Sequence, residues 1–147
     1  MPTKPVTDRQ RSLIEASFKQ VEPIADQAAA LFYMRLFELD PALKALFPND
    51  LTDQGRKLMR AIGMLIRSLD DLPKVTAVLT HLGEKHVGYG AEPHHYGLVG
   101  EALLWTLDQG LGDSFDDETE EAWATLYGVV SGVMCEAAAR SVLAKSA

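Results

Sequence analysis

The sequence of 147 residues has little of several features that define whole classes of protein. Its single cysteine, Cys135, excludes an internal disulfide and a metal site built from several thiolates. Residues 1–5 contain no apolar run that could form a signal segment, and no apolar stretch approaches the roughly 20 residues that span a bilayer. We therefore expect a cytoplasmic protein that has no membrane partner.

The chain is also short of positive charge. Its 14 basic residues are outnumbered by 21 acidic ones, which gives a net charge of −7, and the charges are spread along the chain. A surface that follows a phosphate backbone needs clustered lysine and arginine, so we expect no nucleic-acid partner. The length and the 47% content of apolar residues are those of one globular domain, and we assign residues 1–147 to it.

Signals for β-strands are missing as well. No run alternates strictly between apolar and polar residues, no Asn-Gly or Asp-Gly hairpin turn occurs, and apolar residues recur at helical spacing. The sequence therefore predicts an all-α fold of roughly seven helices. The first should begin after Thr7, which forms a capping box with Gln10, and end near Pro23, where the second begins. The others should cover residues 41–47, 52–69, 72–87, 93–111 and 117–143, with a turn at 48–50.

Glycines inside the predicted helices suggest places where two backbones cross closely, because a glycine there costs up to about 1 kcal/mol relative to alanine. The six positions are Gly55, Gly63, Gly97, Gly100, Gly128 and Gly132.

His86 lies at the end of an apolar helical stripe, just before Gly88. Three apolar residues precede it by four, seven and eleven positions, which places the imidazole on the buried helix face: Leu82, Leu79 and Val75. A metal ligand is one interpretation. A core histidine that bonds a carbonyl or a hydroxyl is the commoner alternative for a lone histidine on such a face.

Two further polar residues are predicted to face inward on other helices. Gln54 shares the stripe of Leu58, and Tyr33 neighbours Leu36 and Phe37. Each alone is more often an ordinary core residue. Together with His86 they favour a haem, whose iron needs an axial imidazole on one side and whose gas ligand is held on the other by hydrogen-bond donors in an apolar pocket. A helical protein without haem remains the alternative.

Several sequence pieces, in this order and spacing, resemble bacterial single-domain globins. The resemblance is to the globin module of flavohaemoglobins and to bacterial haemoglobins without a reductase, with a similarity to neuroglobin over the second half. It runs from the first helix to about Ala138. The pieces are LFYMRLF (31–37), Asp40-Pro41, Leu46-Phe47, QGRKL (54–58), LGEKH (82–86), His95-Tyr96, VGEALL (99–104), Trp123 and LYGV (126–129).

The resemblance implies a globin fold, a three-over-three helical sandwich around haem b (iron protoporphyrin IX). His86 falls on the proximal iron ligand, and its other ring nitrogen should donate to a carbonyl one turn back or to a hydroxyl. Tyr33, Gln54 and Leu58 fall on the distal residues that surround the bound gas. The remaining residues implied to contact the cofactor are Phe47 on the haem face, Leu82, Tyr96 and Val99, with Lys57 or Arg56 at a propionate.

Other histidines are not expected to bind the iron. Because Gln54 stands where neuroglobin-like proteins have a distal histidine, the resemblance implies five-coordinate ferrous iron. The three remaining histidines are expected at the surface or the haem edge: His81, His94 and His95.

On the proximal side the sequence departs from the flavohaemoglobin pattern. There a tyrosine matching Tyr96 works with a glutamate of the last helix, whose position aligns with Ala138. The nearest acid, Glu136, lies about 200° around that helix. Strong electron donation by His86 is therefore not implied, and peroxidase chemistry is the weaker expectation.

The function implied by this resemblance is reversible, high-affinity binding of dioxygen, for transport, storage or sensing, with nitric oxide and carbon monoxide as further ligands. The alternative is an enzyme, a nitric oxide dioxygenase for nitric oxide detoxification. Turnover would require a separate reductase, because these residues include no flavin or nicotinamide domain and no Gly-rich dinucleotide loop. A monomer or a homodimer is expected.

Overall fold

A computed structural model describes residues 6–47 and 50–146 of the chain. Within these residues all regular structure is helical, which confirms the all-α prediction. The α-helices are α1 (Asp8–Val21), α2 (Ala25–Leu39), α3 (Leu51–Arg67), α4 (Leu72–Gly88), α5 (Pro93–Leu111) and α6 (Asp117–Ser146). Short 3-10 helices cover Glu22–Ile24, Pro41–Leu46 and Gly112–Ser114.

Side-chain caps explain where most helices begin. Thr7 Oγ1 accepts from the Gln10 amide at 3.0 Å while the Thr7 amide donates to Gln10 Oε1 at 3.0 Å, which is the predicted capping box. Aspartates cap the 3-10 helix after α2 and the helices α3, α4 and α6, each accepting a backbone N–H from the first turn: Asp40, Asp50, Asp71 and Asp116.

Several predicted bounds need correction. The segment predicted as a helix over 41–47 is a 3-10 helix, and Pro23 lies in a 3-10 turn, so that α2 begins at Ala25. Helix α3 begins at Leu51, one residue earlier than predicted, because Asp50 provides its cap. It ends at Arg67, two residues earlier than predicted, because Ser68 leaves helical geometry. Helix α6 continues to Ser146. The turn predicted at residues 48–49 and the opening residues 1–5 lie outside the described residues.

The main core joins α1, α5 and α6 around Trp123, which is 2% exposed. Its indole N–H donates to Ser17 Oγ at 2.8 Å, and the Ser17 hydroxyl lies 2.7 Å from the Leu13 carbonyl oxygen, to which it donates. Both polar groups of this buried pair are thereby satisfied. Elsewhere α2 packs against α3 and α5, and α4 packs against α6. In the described part of the chain, α3 and α4 make few contacts with each other.

Only some of the glycines lie at close helix crossings. A Cβ on Gly55 would lie 2.7 Å from Ala29 Cβ, and one on Gly100 would lie 2.7 Å from the Tyr127 ring, as predicted. At Gly63 the nearest atom would belong to the flexible end of Arg67, at 3.3 Å. The prediction is wrong for three glycines that have open space around them: Gly97, Gly128 and Gly132. The tightest crossing was not predicted and occurs at Gly83, where an added Cβ would lie 2.5 Å from the Met134 carbonyl oxygen.

One described helical segment, Asp117–Leu143, is long and apolar enough by length and composition to cross a membrane. This finding corrects the expectation that no stretch is long and apolar enough to span a bilayer. A single helix of this kind is weak evidence for a membrane span, and this one packs against α1, α4 and α5.

Candidate functional site

His86 lies in the last turn of α4 and is half-buried. Its Nδ1 is 2.6 Å from the carbonyl oxygen of Leu82, one turn earlier. Because a carbonyl can only accept, the imidazole proton belongs on Nδ1, and Nε2 carries a free lone pair. The hydrogen bond expected from the sequence is therefore present, and it fixes the tautomer that a metal ligand needs.

The chain turns sharply just beyond His86. Gly90 has a φ of +89°, a conformation that side-chain-bearing residues rarely adopt, and so the glycine is required at this corner. The Tyr89 ring, 63% exposed, lies edge-on to the His86 ring with 5.7 Å between ring centroids. This corner leads directly into α5, which carries Tyr96 and Val99.

Tyr33 on α2 is 4% exposed and is surrounded by aromatic rings. The centroid distances are 5.1 Å to Phe32, 6.1 Å to Phe37 and 5.4 Å to Phe47. Burial raises the pKa of the Tyr33 hydroxyl to about 12, while a hydrogen bond with the Gln54 side chain lowers it. The hydroxyl is therefore protonated near neutral pH and can donate a hydrogen bond.

Helix α3 brings Gln54 and Leu58 to the same place. The close contact between Gly55 and Ala29 holds α3 directly against α2, which puts the half-buried Gln54 within reach of Tyr33. Leu58, Phe47 and Val99 pack against the cluster that contains Tyr33. The predicted distal residues, which come from separate parts of the chain, thus meet in one cluster.

On the proximal side, Leu82 and Tyr96 pack against a different cluster, formed by Val75, Leu79 and Met134. Burial raises the pKa of Tyr96, and the nearby thiol of Cys135 adds to that rise. The Tyr96 hydroxyl is buried and has no hydrogen-bond partner in the described part of the chain. A second tyrosine packs here, because the Tyr127 hydroxyl donates to the Tyr96 backbone carbonyl at 2.5 Å.

Among the described residues, no acid takes the place of the glutamate that the flavohaemoglobin pattern has near this tyrosine. Glu136 is exposed and accepts from Arg140 at 2.9 Å, one turn along α6. Within the described residues, the Tyr96 hydroxyl therefore receives no carboxylate partner, as the alanine at position 138 led us to expect.

The residues suggested for a propionate, Lys57 and Arg56, are exposed on α3. Arg56 Nη2 lies 3.7 Å from Asp26 Oδ2 on α2, so part of its charge is already paired. His81 is exposed, as expected. His94 is exposed and His95 half-buried at the start of α5.

A cavity of about 280 Å³ lies on another face of α3, between that helix and the segment that joins the end of α1 to the start of α2. It contains Arg56, Arg60 and Arg67, with Glu22 and Asp26 opposite, and none of the predicted iron-ligand or distal residues. Its charged lining suits neither an apolar macrocycle nor an axial imidazole, so we do not assign the site to it.

The residues around His86 and Tyr33 fit a haem. His86 belongs to no group of three metal-ligating side chains among the described residues, so an ion there would need a prosthetic group with its own ligands. The apolar residues Phe47, Leu58, Leu82 and Val99 are only partly buried. A flat apolar group between α3 and α4 would cover such side chains. The fold and the site thus define a helical protein of the haem-binding type.

Comparison with known proteins identifies the family. The sequence profile of the Globin family matches residues 30–134, which include α3, α4, α5 and most of α2, and the chain belongs to this family. The flavohemoprotein of Chromobacterium violaceum is 30% identical over 132 residues, which are 88% of this chain and 33% of that protein. The chain thus spans about a third of that relative.

The neuroglobin of Danio rerio is 31% identical over 143 residues and is matched over 88% of this chain and 90% of its own length. The similarity to neuroglobin therefore extends beyond the second half of the chain. A crystal structure of a hexacoordinated heme protein from an anhydrobiotic tardigrade superposes with a TM-score of 0.83 at 17% identity, covering 92% of this chain and 96% of that one. This confirms the predicted globin fold.

Proposed function

We propose that this globin binds dioxygen reversibly on haem b, with high affinity and slow release. The observation that carries this proposal is the buried Tyr33 hydroxyl beside the Gln54 side chain, two neutral hydrogen-bond donors among apolar and aromatic residues. The similarity to a flavohemoprotein and a neuroglobin supports the haem. When bound, haem would supply an iron that can take a diatomic gas.

His86 would hold this cofactor through Nε2. Its Nδ1–H donates to a neutral carbonyl rather than to a carboxylate, so the imidazole keeps the correct tautomer but gains little additional basicity. Gln54 offers no imidazole on the distal side, and His81 is exposed. We therefore infer a ferrous protein whose one protein ligand is His86, in contrast to the hexacoordinated tardigrade protein.

Tyr33 and Gln54 would act on the ligand directly. Dioxygen takes on negative charge when it binds ferrous haem, and donors aimed at such charge are stronger than ordinary neutral hydrogen bonds. If each donor contributes about 1.5 kcal/mol, each slows ligand release about tenfold, and both together do so roughly a hundredfold. Leu58 and Phe47 would exclude water that competes for these donors.

The test compares dioxygen and carbon monoxide release in Tyr33→Phe and Gln54→Leu. We expect dioxygen to leave each variant about tenfold faster, whereas carbon monoxide, which takes on little charge, leaves at nearly the wild-type rate. The carbon monoxide rate serves as the control for a disturbed pocket. An unchanged dioxygen dissociation rate in Tyr33→Phe would overturn the proposal.

Nitric oxide dioxygenation is the second candidate, favoured by the alignment of this chain with the flavohemoprotein. The same distal donors would hold dioxygen while nitric oxide is oxidised to nitrate and the iron is left ferric. The other two thirds of that relative have no counterpart in these 147 residues. Repeated turnover would need electrons from a reductase.

A further inference from the structure

A second group of metal-ligating side chains lies where the end of α2 meets the start of α5. One ligand atom each of Asp40, His94 and His95 lies within 4.8 Å of the other two. Asp40 directly follows α2, and the two histidines lie in the first turn of α5. None of the three belongs to the proposed gas-binding site.

The structure holds these side chains in place through contacts of their own. Asp40 Oδ1 accepts the Ala42 N–H at 3.1 Å, which leaves its second carboxylate oxygen for another partner. The His94 and His95 rings lie 4.2 Å apart between centroids. His95 Nδ1 accepts the Glu92 N–H at 2.9 Å. The donors are thus gathered before any ion arrives, which lowers the conformational entropy lost on binding.

Charge near the group also favours a cation. Glu92 Oε2 lies 3.7 Å from His94 Nδ1, so a second carboxylate stands beside the histidines. The net charge of −7 adds a general attraction for positive ions. Binding has one local cost, because His95 must give up its hydrogen bond with the Glu92 amide, whether it turns Nδ1 to the ion or moves its proton from Nε2 to Nδ1 so that Nε2 can bind.

The donor set selects the kind of ion. Two imidazole nitrogens and one carboxylate oxygen suit zinc and similar divalent transition ions, whereas calcium and magnesium prefer oxygen ligands alone. Three protein ligands leave a fourth tetrahedral position for water. We propose that Asp40, His94 and His95 bind one such divalent transition ion, which clips the end of α2 to the start of α5.

Zinc titration of the haem-loaded protein by calorimetry tests this site. We expect about one zinc per chain with a dissociation constant in the micromolar range. In His94→Gln the dissociation constant should rise by about tenfold or more. Asp40→Asn should also weaken binding while retaining the cap, because asparagine caps helices as well as aspartate. The matched control is His81→Gln, an exposed histidine on α4 that should bind zinc like the wild type.

Thermal unfolding gives a second measurement. Since Asp40 is far in sequence from the two adjacent histidines, only the folded chain brings all three ligands together, and zinc binds it in preference to the unfolded chain. At a zinc concentration about a hundredfold above the dissociation constant, Tm should rise by about 5 °C in the wild type and stay unchanged in His94→Gln. Without zinc, the two proteins should unfold at the same temperature. Equal zinc affinity or an equal Tm rise in wild type and His94→Gln would place the ion elsewhere and overturn the proposal.

Discussion

The surroundings of Tyr33 keep its hydroxyl protonated. The rings of Phe32, Phe37 and Phe47 replace water around it, and a phenolate would lose its hydration there, so that burial outweighs the hydrogen bond from Gln54 and raises the pKa to about 12. The side chain is therefore a hydrogen-bond donor over the whole physiological pH range.

The raised pKa of Tyr33 predicts a loss of stability at alkaline pH. The unfolded chain releases this proton near pH 10 and the folded chain near pH 12, so the free energy of unfolding is unaffected below pH 10. Between pH 10 and pH 12 it should fall by up to about 3 kcal/mol from this group. Urea unfolding should show a steeper decline in the wild type than in Tyr33→Phe over that interval. Parallel curves for the two proteins would contradict this assignment.

The inward positions of His86, Tyr33 and Gln54 could be predicted from the sequence because each lies on an apolar helix face, whereas their roles at a gas site come from the resemblance to globins. A histidine at the end of an apolar stripe can bond the carbonyl one turn back, and His86 does so with Leu82. The closeness of Asp40 to His94 could not be predicted from the sequence, because it depends on how the end of α2 packs beside α5. The sequence predicts only surface or haem-edge positions for His94 and His95.

At the scale of helices, start positions were predictable where a side chain caps the first turn, as at Thr7 and Asp50. The positions of close crossings were not, because a glycine carries no sign of what lies beside it. Gly132 was predicted to lie at a crossing and has open space around it, whereas Gly83 touches the backbone of α6 at Met134. Only the tertiary packing of α4 on α6 distinguishes these two glycines.

Gly83→Ala is predicted to weaken the α4–α6 contact. The added methyl group would lie 2.5 Å from the Met134 carbonyl oxygen and 2.9 Å from its Cα, so one helix must shift. Overpacking of this kind costs about 1–3 kcal/mol of stability. The shift should also displace His86, which lies about one turn after Gly83 on α4. Gly132→Ala on α6 is the control and should gain up to about 1 kcal/mol, because alanine favours the helix. Urea unfolding of both variants measures the difference, and equal stability would contradict the close crossing.

At the scale of the whole molecule, the chain has three packed clusters and two helices, α3 and α4, that make few contacts with each other in the described residues. This arrangement leaves the partly buried apolar side chains of the proposed site to be covered by the cofactor. The chain aligns with most of a neuroglobin but with only a third of a flavohemoprotein. Family membership alone therefore does not decide between reversible dioxygen binding and nitric oxide dioxygenation.

Nitric oxide consumption by the oxygenated protein separates these two functions. Without an electron donor, an oxygenated chain that follows the proposed chemistry would oxidise about one nitric oxide to nitrate and would then stop, because its haem would be left oxidised. We expect this single burst, with little additional consumption when a generic reductase and its reduced nicotinamide are supplied. The reason is that His86 bonds a neutral carbonyl, and Tyr96 has no carboxylate partner in the described residues. The reductase without the globin gives the background rate. Sustained consumption well above it would instead make this chain the oxygenase half of a two-protein nitric oxide dioxygenase.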